Sequence, residues 1–241
     1  MTGRRRAILI TGATDGIGLA LARRLAGRHD LLLTGRRPHE AVAALLPAGA
    51  LYGQADQADP LTAADGIAAL LGGARVTRLD NAVLNAGAGF AGDPFAELPE
   101  RLRTVFDVNL AAPMLIARRL LPALEAASGT LTLVGSTARR GAPGFASYAA
   151  AKAGLHGFAR ALGEEWRGRV VVQIVNPGPV ATAMHRKAGH EPGPAQRLFV
   201  SPERMAAMLE AAIASSRSPV TLSFLQTTRA TLSPLRREAQ L

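Results

Sequence analysis

What most restricts how this chain can fold is an alternation of short apolar runs with longer segments of helix-forming composition. The apolar runs are Ala7–Thr11, Leu31–Thr34, Ala50–Gln54, Asn81–Asn85, Thr130–Gly135, Val170–Val175 and Val220–Phe224. Most are apolar at nearly every position rather than at every second one. That is what a strand covered on both faces requires, and such strands belong to parallel sheets. Helices are expected between them near 16–28, 61–71, 97–126, 146–167 and 202–215. The expected fold is α/β, a Rossmann-like doubly wound parallel sheet of about seven strands with helices on both faces. The segment 97–126 carries Pro113 and Pro122, each lacking a backbone donor, so a kink or break is expected there.

A length of 241 residues suffices for one substantial core, and no repeat or long linker divides it. One domain over residues 1–228 is expected, with residues 183–200, rich in Gly and Pro, as a lid over the site. Arg229–Leu241 reads as a frayed tail.

Composition removes several classes of function. With no cysteine, disulfides, thiolate nucleophiles and Cys-based metal sites are excluded. His185, His190 and Glu191 come nearest to a ligand cluster, but they lie in the Gly/Pro-rich stretch and read as a solvated loop, so no metal is expected. The net charge of +10 raises the question of nucleic acid. The positive charge is nearly all arginine spread along the chain, with only Lys152 and Lys187 besides, and no recognition motif accompanies it. It reads as a compositional bias that suits anionic substrates, and no nucleic acid is expected. The basic start, Met1–Arg6, leads into an apolar stretch too short for export or insertion. A soluble, cytoplasmic protein without membrane contact is expected.

The first strand candidate runs directly into Thr11-Gly12-Ala13-Thr14-Asp15-Gly16-Ile17-Gly18 and then a helix rich in Ala and Leu. Glycines let backbone approach a pyrophosphate, and a helix N-terminus offers it unpaired N–H groups and a positive dipole. A structural turn alone is the other reading of this Gly-x-x-x-Gly-x-Gly spacing. A cofactor with a free ribose 2′-hydroxyl calls for an acidic residue about twenty positions further on. Here that place reads Thr34-Gly35-Arg36-Arg37. Arginine suits a 2′-phosphate, so NADP(H) is expected ahead of NAD(H). Solvated arginines are the alternative.

Tyr148 and Lys152 stand four apart in an Ala-rich segment, so they share a helix face. They are one of two tyrosines and one of two lysines in the chain. A neighbouring ammonium favours a phenolate and is expected to draw the Tyr148 pKa toward neutrality. The pair could then exchange a proton with a carbonyl or alcohol oxygen.

With these motifs in this order, the chain resembles the short-chain dehydrogenase/reductase family over nearly its whole length. The resemblance implies roles for particular residues. Thr11, Gly12, Thr14, Asp15, Gly16, Ile17 and Gly18 match the family's glycine-rich turn, and Asp56 the acidic residue near adenine. Asn85, Ala86 and Gly87 match the element lining the cofactor beside the fourth strand. Asn109 matches the helix asparagine that supports a proton-relay water, and Ser136 the serine bonded to the substrate carbonyl. Pro177, Gly178, Val180 and Thr182 match the turn whose threonine meets the nicotinamide carboxamide. Tyr148 and Lys152 match the catalytic pair, the lysine also bonding ribose hydroxyls.

Three departures stand out. Ser136 lies twelve residues before Tyr148, one fewer than the family pattern, which leaves Thr137 as an alternative carbonyl contact. Leu84 and Ala151 replace a frequent asparagine and serine, and neither change removes a catalytic group. Asp56 has a simpler reading as a loop cap.

The implied function is NADPH-dependent reduction of a ketone or aldehyde, reversible with the alcohol, in a homodimer or homotetramer. Tyr148-Ala-Ala-Ala-Lys152-Ala-Gly also resembles 3-oxoacyl-carrier-protein reductases. A nucleotide-binding sensor without turnover would be expected to lack Ser136, Tyr148 or Lys152, and all three are present. Ala88–Phe95, Arg139–Phe145 and the lid are expected to shape the substrate pocket, with Phe90, Phe145, Met184, Leu198 and Phe199 as its apolar candidates.

Overall fold

The computed structural model describes residues 4–182, 189 and 199–215. Strands β1 (Ala7–Ile10), β2 (Asp30–Gly35), β3 (Leu51–Gln54), β4 (Asn81–Leu84), β5 (Thr130–Val134) and β6 (Val171–Val175) form one sheet in the order β3-β2-β1-β4-β5-β6. Every pairing is parallel. Among the described residues the sheet has six strands; the seventh expected strand, Val220–Phe224, lies outside them, as do most of the expected lid and the C-terminal tail.

The strands other than the edge strand β3 are buried on both faces because a helical layer covers each face of the sheet, while β3 is exposed at Leu51 and Gln54. Alternate residues such as Leu9, Leu32, Leu84, Leu131 and Leu133 enter a core beneath α2 (Pro60–Gly73), α4 (Ala112–Ala127) and α5 (Ala146–Glu165). Their neighbours Ile8, Ile10, Leu33, Val83 and Val134 enter a second core beneath α1 (Gly16–Leu25) and α6 (Pro202–Ser215). The Arg24–Glu210 and Arg28–Glu210 ion pairs tie α1 to α6 at the rim. Surface pairs of this kind contribute little beside the apolar burial. No helix among the described residues is long and apolar enough to cross a membrane.

Strand order reverses between β1 and β4, so chain leaves these neighbours toward opposite faces of the sheet. A crevice opens there at the carboxyl ends, where ligands of open α/β sheets bind.

The expected break in 97–126 is real, but it falls between the prolines and the segment's start rather than at a proline kink. Helix α3 (Pro99–Phe106) passes through a π-turn, Asp107–Ala111, into α4. The Asn109 side chain donates from Nδ2 to the Val105 carbonyl at 2.8 Å, competing for the acceptor its own backbone N–H would use in a regular helix. Ala112 N–H reaches back five residues to Asp107, and Pro113, next along, has no N–H to donate. Pro122 sits inside α4, which continues past it to Ala127.

Leu120 is fully buried between α4 and the sheet. Leu120→Ala is expected to destabilise the fold by about 2–5 kcal/mol through lost burial and a residual cavity. A calorimetric melt should show a drop of roughly 5–15 °C for a domain of this size.

Candidate active site

The crevice is stitched shut at its base by two side chains. Thr11 Oγ1 accepts from the backbone N–H groups of Asn85 and Ala86, both at 3.1 Å. Asn85 Nδ2 returns bonds to the carbonyls of Thr11 (3.1 Å) and Gly12 (3.3 Å). The end of β1 is thereby locked to the end of β4.

The glycine turn above this lock needs its glycines. Gly12 and Gly16 have φ of +63° and +50°, in the left-handed region. A Cβ at Gly12 would lie 2.8 Å from Ala86 Cα, and one at Gly18 only 2.3 Å from the Gly12 carbonyl oxygen. Asp15 caps α1, its carboxylate accepting from Gly16 N at 2.7 Å. First-turn N–H groups of a helix lack carbonyl partners within it, which is what makes such an end suited to an anion. A Cβ at Gly16 would stand 3.1 Å from Thr182 Cγ2, so Thr182 overhangs the turn. The backbone is thus shaped for a close-lying anionic group, and a dinucleotide fits it.

At the same sheet edge, Arg36 and Arg37 follow β2 and are exposed. Arg37 Nη2 donates to the Thr14 carbonyl at 3.0 Å, which brings it to the glycine turn. Asp56, just past β3, is exposed and accepts from Ala58 N at 3.0 Å, so it does cap its loop.

Across the crevice, α5 carries Tyr148 and Lys152, both buried. Tyr148 packs with Val105, Ala151, Phe90, Phe106 and Phe145, its ring edge-to-face with Phe145 at 6.4 Å. Phe90 and Phe145, expected as pocket walls, therefore pack against the tyrosine itself. Phe199 is half-buried; Met184 and Leu198 lie outside the described residues. Lys152 Nζ donates to the Val134 carbonyl at 2.9 Å and lies 5.7 Å from the Tyr148 ring centre. Ser136 follows β5, its Oγ accepting from Ala138 N at 3.1 Å and standing close enough to the Tyr148 hydroxyl to affect its pKa. Thr137 instead donates its backbone N–H to Pro177 at 2.9 Å, tying this strand end to the turn holding Gly178. Val180 is buried and bridges Val200.

Asn109 completes the group. Its Nδ2 also donates to the Ala88 carbonyl at 2.6 Å, while Oδ1 is buried without a partner. A Cβ at Gly87 would lie 3.1 Å from that Oδ1 and 3.8 Å from Lys152 Nζ. Gly87 thus leaves these two groups facing one small space, with an acceptor ready for a water. The structure brings Ser136, Tyr148, Lys152 and Asn109 together; Arg36, Arg37 and Asp56 lie at the far end of the crevice.

Electrostatics differ from the expectation for the pair. Burial raises the Tyr148 pKa above its ordinary value, and the Ser136 hydroxyl opposes this. Burial also lowers Lys152 from 10.5 to about 8. Desolvation acts on both groups because both are enclosed, and the ammonium is turned to the Val134 carbonyl rather than to the phenol. Four further residues were not singled out from sequence. Ser147 Oγ donates to Glu97 at 2.7 Å, pinning the loop after β4 to the start of α5. Tyr52 and Gln54 of β3 bond the carbonyls around Arg36 and Arg37. Tyr52 is the second of only two tyrosines, a signal the sequence did carry.

Residues 6–193 match the family model described as short chain dehydrogenase. The chain belongs to the short-chain dehydrogenase family. It is accordingly an NAD(P)-dependent oxidoreductase. It is 35% identical to a protein named as a ketoacyl reductase of the monensin polyketide synthase of Streptomyces virginiae, over 76% of this chain and 73% of that one. Identity is 34% to the 1-deoxy-11-beta-hydroxypentalenate dehydrogenase of Streptomyces exfoliatus, covering 88% and 81%. A short-chain dehydrogenase from Shigella flexneri, solved with NADP, superposes with a TM-score of 0.76 at 26% identity, over 90% of this chain and 95% of that one.

The lysine provides a stability test. Between pH about 8 and 10.5 the unfolded chain keeps the Lys152 proton and the folded chain releases it, so wild-type stability gains as pH rises through that window. Below it the burial penalty on the cation is present in full. Stability of wild type relative to Lys152→Met should therefore rise by on the order of 2 kcal/mol across the window. Denaturant melts of both proteins at the two ends would measure it; a difference independent of pH would assign Lys152 an ordinary titration.

Proposed function

We propose that this oxidoreductase uses NADP(H) to reduce a ketone or aldehyde, and to oxidise the matching alcohol in reverse. The observation that carries the reading is the convergence of Ser136, Tyr148, Lys152 and Asn109 beside the glycine turn. When bound, the cofactor supplies the hydride that the carbonyl carbon receives. The remaining work belongs to the chain.

Ser136 holds the carbonyl oxygen and steadies the charge growing on it. Its hydroxyl stands beside the Tyr148 phenol and opposes the rise in that group's pKa, which supports this role. Tyr148 gives its proton to that oxygen, and its raised pKa keeps it protonated and able to donate at neutral pH. Lys152, charged below about pH 8, favours the phenolate that results and bonds the ribose hydroxyls. Asn109 Oδ1 holds a water through which the proton is replaced. Thr11 to Gly18 receive the pyrophosphate, Asn85 to Gly87 line the cofactor, and Thr182 receives the carboxamide. Asp56 lies toward adenine.

For the cofactor, the reading rests on Arg36 and Arg37 standing where a ribose hydroxyl would call for a carboxylate. A relative solved with NADP agrees with it. Among carbonyl substrates a 3-oxoacyl thioester is the second reading, favoured by the ketoacyl reductase at 35% identity and by the net charge of +10. A cytoplasmic homodimer or homotetramer without nucleic-acid or membrane partners completes the proposal.

Purified protein assayed by NADPH oxidation against a panel of ketones, aldehydes and 3-oxoacyl thioesters should turn over at least one class. Tyr148→Phe is expected to lower kcat by about 10²–10⁴-fold with NADP⁺ binding nearly unchanged. Undiminished turnover in that variant would falsify the assignment of the proton donor.

A further inference from the structure

The loop after β2 is held from behind by side chains of β3. The Tyr52 hydroxyl donates to the Arg37 carbonyl at 2.6 Å and stands 3.1 Å from the Gly35 carbonyl. Gln54 Nε2 donates to the Arg36 carbonyl at 3.1 Å. The Arg36 and Arg37 carbonyls thus each have a side-chain donor on one neighbouring strand, and the same phenol lies within reach of the Gly35 carbonyl, which accepts the backbone bond from Ala55 N. Ordinary parallel pairing ends there and needs none of these contacts. A surface loop left to water would satisfy its carbonyls at no such cost in side-chain order.

What the grip fixes is the backbone from which the two arginine side chains leave. Arg37 is held at both ends, its carbonyl by Tyr52 and its Nη2 by the Thr14 carbonyl of the glycine turn. A guanidinium has five N–H donors in a rigid fork, so the contact with Thr14 leaves others to present beside the turn. Arg36 is held at its carbonyl, while its guanidinium has no partner among the described residues. Gly35 makes the arrangement possible. A Cβ there would lie 2.8 Å from Thr14 Cγ2 and 3.1 Å from the Tyr52 hydroxyl. His39 leans on the Tyr52 ring at 5.9 Å from the other side.

We infer that Tyr52 and Gln54 are positioning residues for cofactor choice: by holding the Arg36 and Arg37 carbonyls they aim the two guanidinium groups at a ribose 2′-phosphate. The inference rests on the NADP(H) reading above. Neither residue touches the phosphate; each acts through an arginine backbone. Preorganisation of this kind strengthens binding by removing the ordering cost of flexible side chains when the ligand arrives. A cofactor lacking the 2′-phosphate gains nothing from it. Selectivity, and not general affinity, is therefore what the clamp controls. Burial raises the Tyr52 pKa above its ordinary value against the opposing pull of Arg37, so the phenol remains a donor at neutral pH.

The test is calorimetric titration of the full-length protein with NADP⁺ and with NAD⁺, for wild type, Tyr52→Phe, Gln54→Met and the double variant. Tyr52→Phe keeps the ring against His39 and removes the donor; Gln54→Met keeps length at an exposed position. Each single variant should raise Kd for NADP⁺ a few fold, and the double variant about five- to tenfold, the size of a lost hydrogen bond or two partly transmitted. Kd for NAD⁺ should stay within about twofold, so the ratio of the two constants moves. Melting temperatures recorded beside the titrations separate selectivity from general damage. Equal weakening toward both cofactors, or no change toward either, overturns the inference while leaving the NADP(H) reading intact. Tighter binding of NAD⁺ than NADP⁺ by wild type overturns that reading and the inference with it.

Discussion

Everything at this site hangs on the four hydrogen bonds between Thr11 and Asn85 with its neighbours. They join β1 to β4 where the strand order reverses, and the two halves of the crevice grow from that seam. The glycine turn departs from one side and the Gly87–Ala88 segment from the other. Gly12 comes so close to Ala86 that no side chain fits between them, so the seam also sets how far the turn can open. Backbone donors at the head of α1 and the buried groups around Lys152 are then held in one frame. Loops carry the chemistry, and a locked sheet edge gives those loops a fixed origin.

The second constraint is burial of polar groups that have too few partners. Lys152 has the Val134 carbonyl, and Asn109 leaves a buried oxygen unpaired. Both are unfavourable for folding by themselves, since a buried charge or orphaned acceptor loses hydration without full replacement. A π-turn, which appears often at functional sites, places the Asn109 side chain here. Its amide holds the Val105 and Ala88 carbonyls, so the other end of the side chain has one direction left to face. The large apolar cores on both sides of the sheet supply the stability that lets such a group persist.

Much of this architecture was legible in the chain. Apolar runs located six strands to within a residue or two; all but the edge strand β3 lack alternation because both of their faces meet helices. The spacing of Tyr148 and Lys152 put both on one inward face of α5. Non-local facts were not legible. Pro113 signalled a break, yet the break was decided by a side chain competing with backbone for the Val105 carbonyl, which no propensity describes. The Lys152 charge was expected to lower the tyrosine, but enclosure raises it with only Ser136 opposing, and enclosure depends on Phe90, Phe106 and Phe145 arriving from three separate segments. Asp56 was read two ways, and its bond to Ala58 supports the loop cap without touching the question of adenine.

The two tyrosines illustrate the same limit from opposite sides. Tyr148 sits in a spaced motif, so its partner four residues away could be found along the chain. The partners of Tyr52 are the carbonyls of Gly35 and Arg37, which carry no residue-specific signature, and they lie on the neighbouring strand's exit loop. Only parallel pairing of β2 with β3, in the register that sets Leu33 against Tyr52 and Gly35 against Gln54, brings them together. A one-residue slip would turn the phenol to the other face of the sheet and leave the arginine loop without its support. The register is in turn held by Leu32 and Leu33, which enter different cores and cannot exchange faces without disturbing both. Packing far from the cofactor end thereby determines how its arginines are presented.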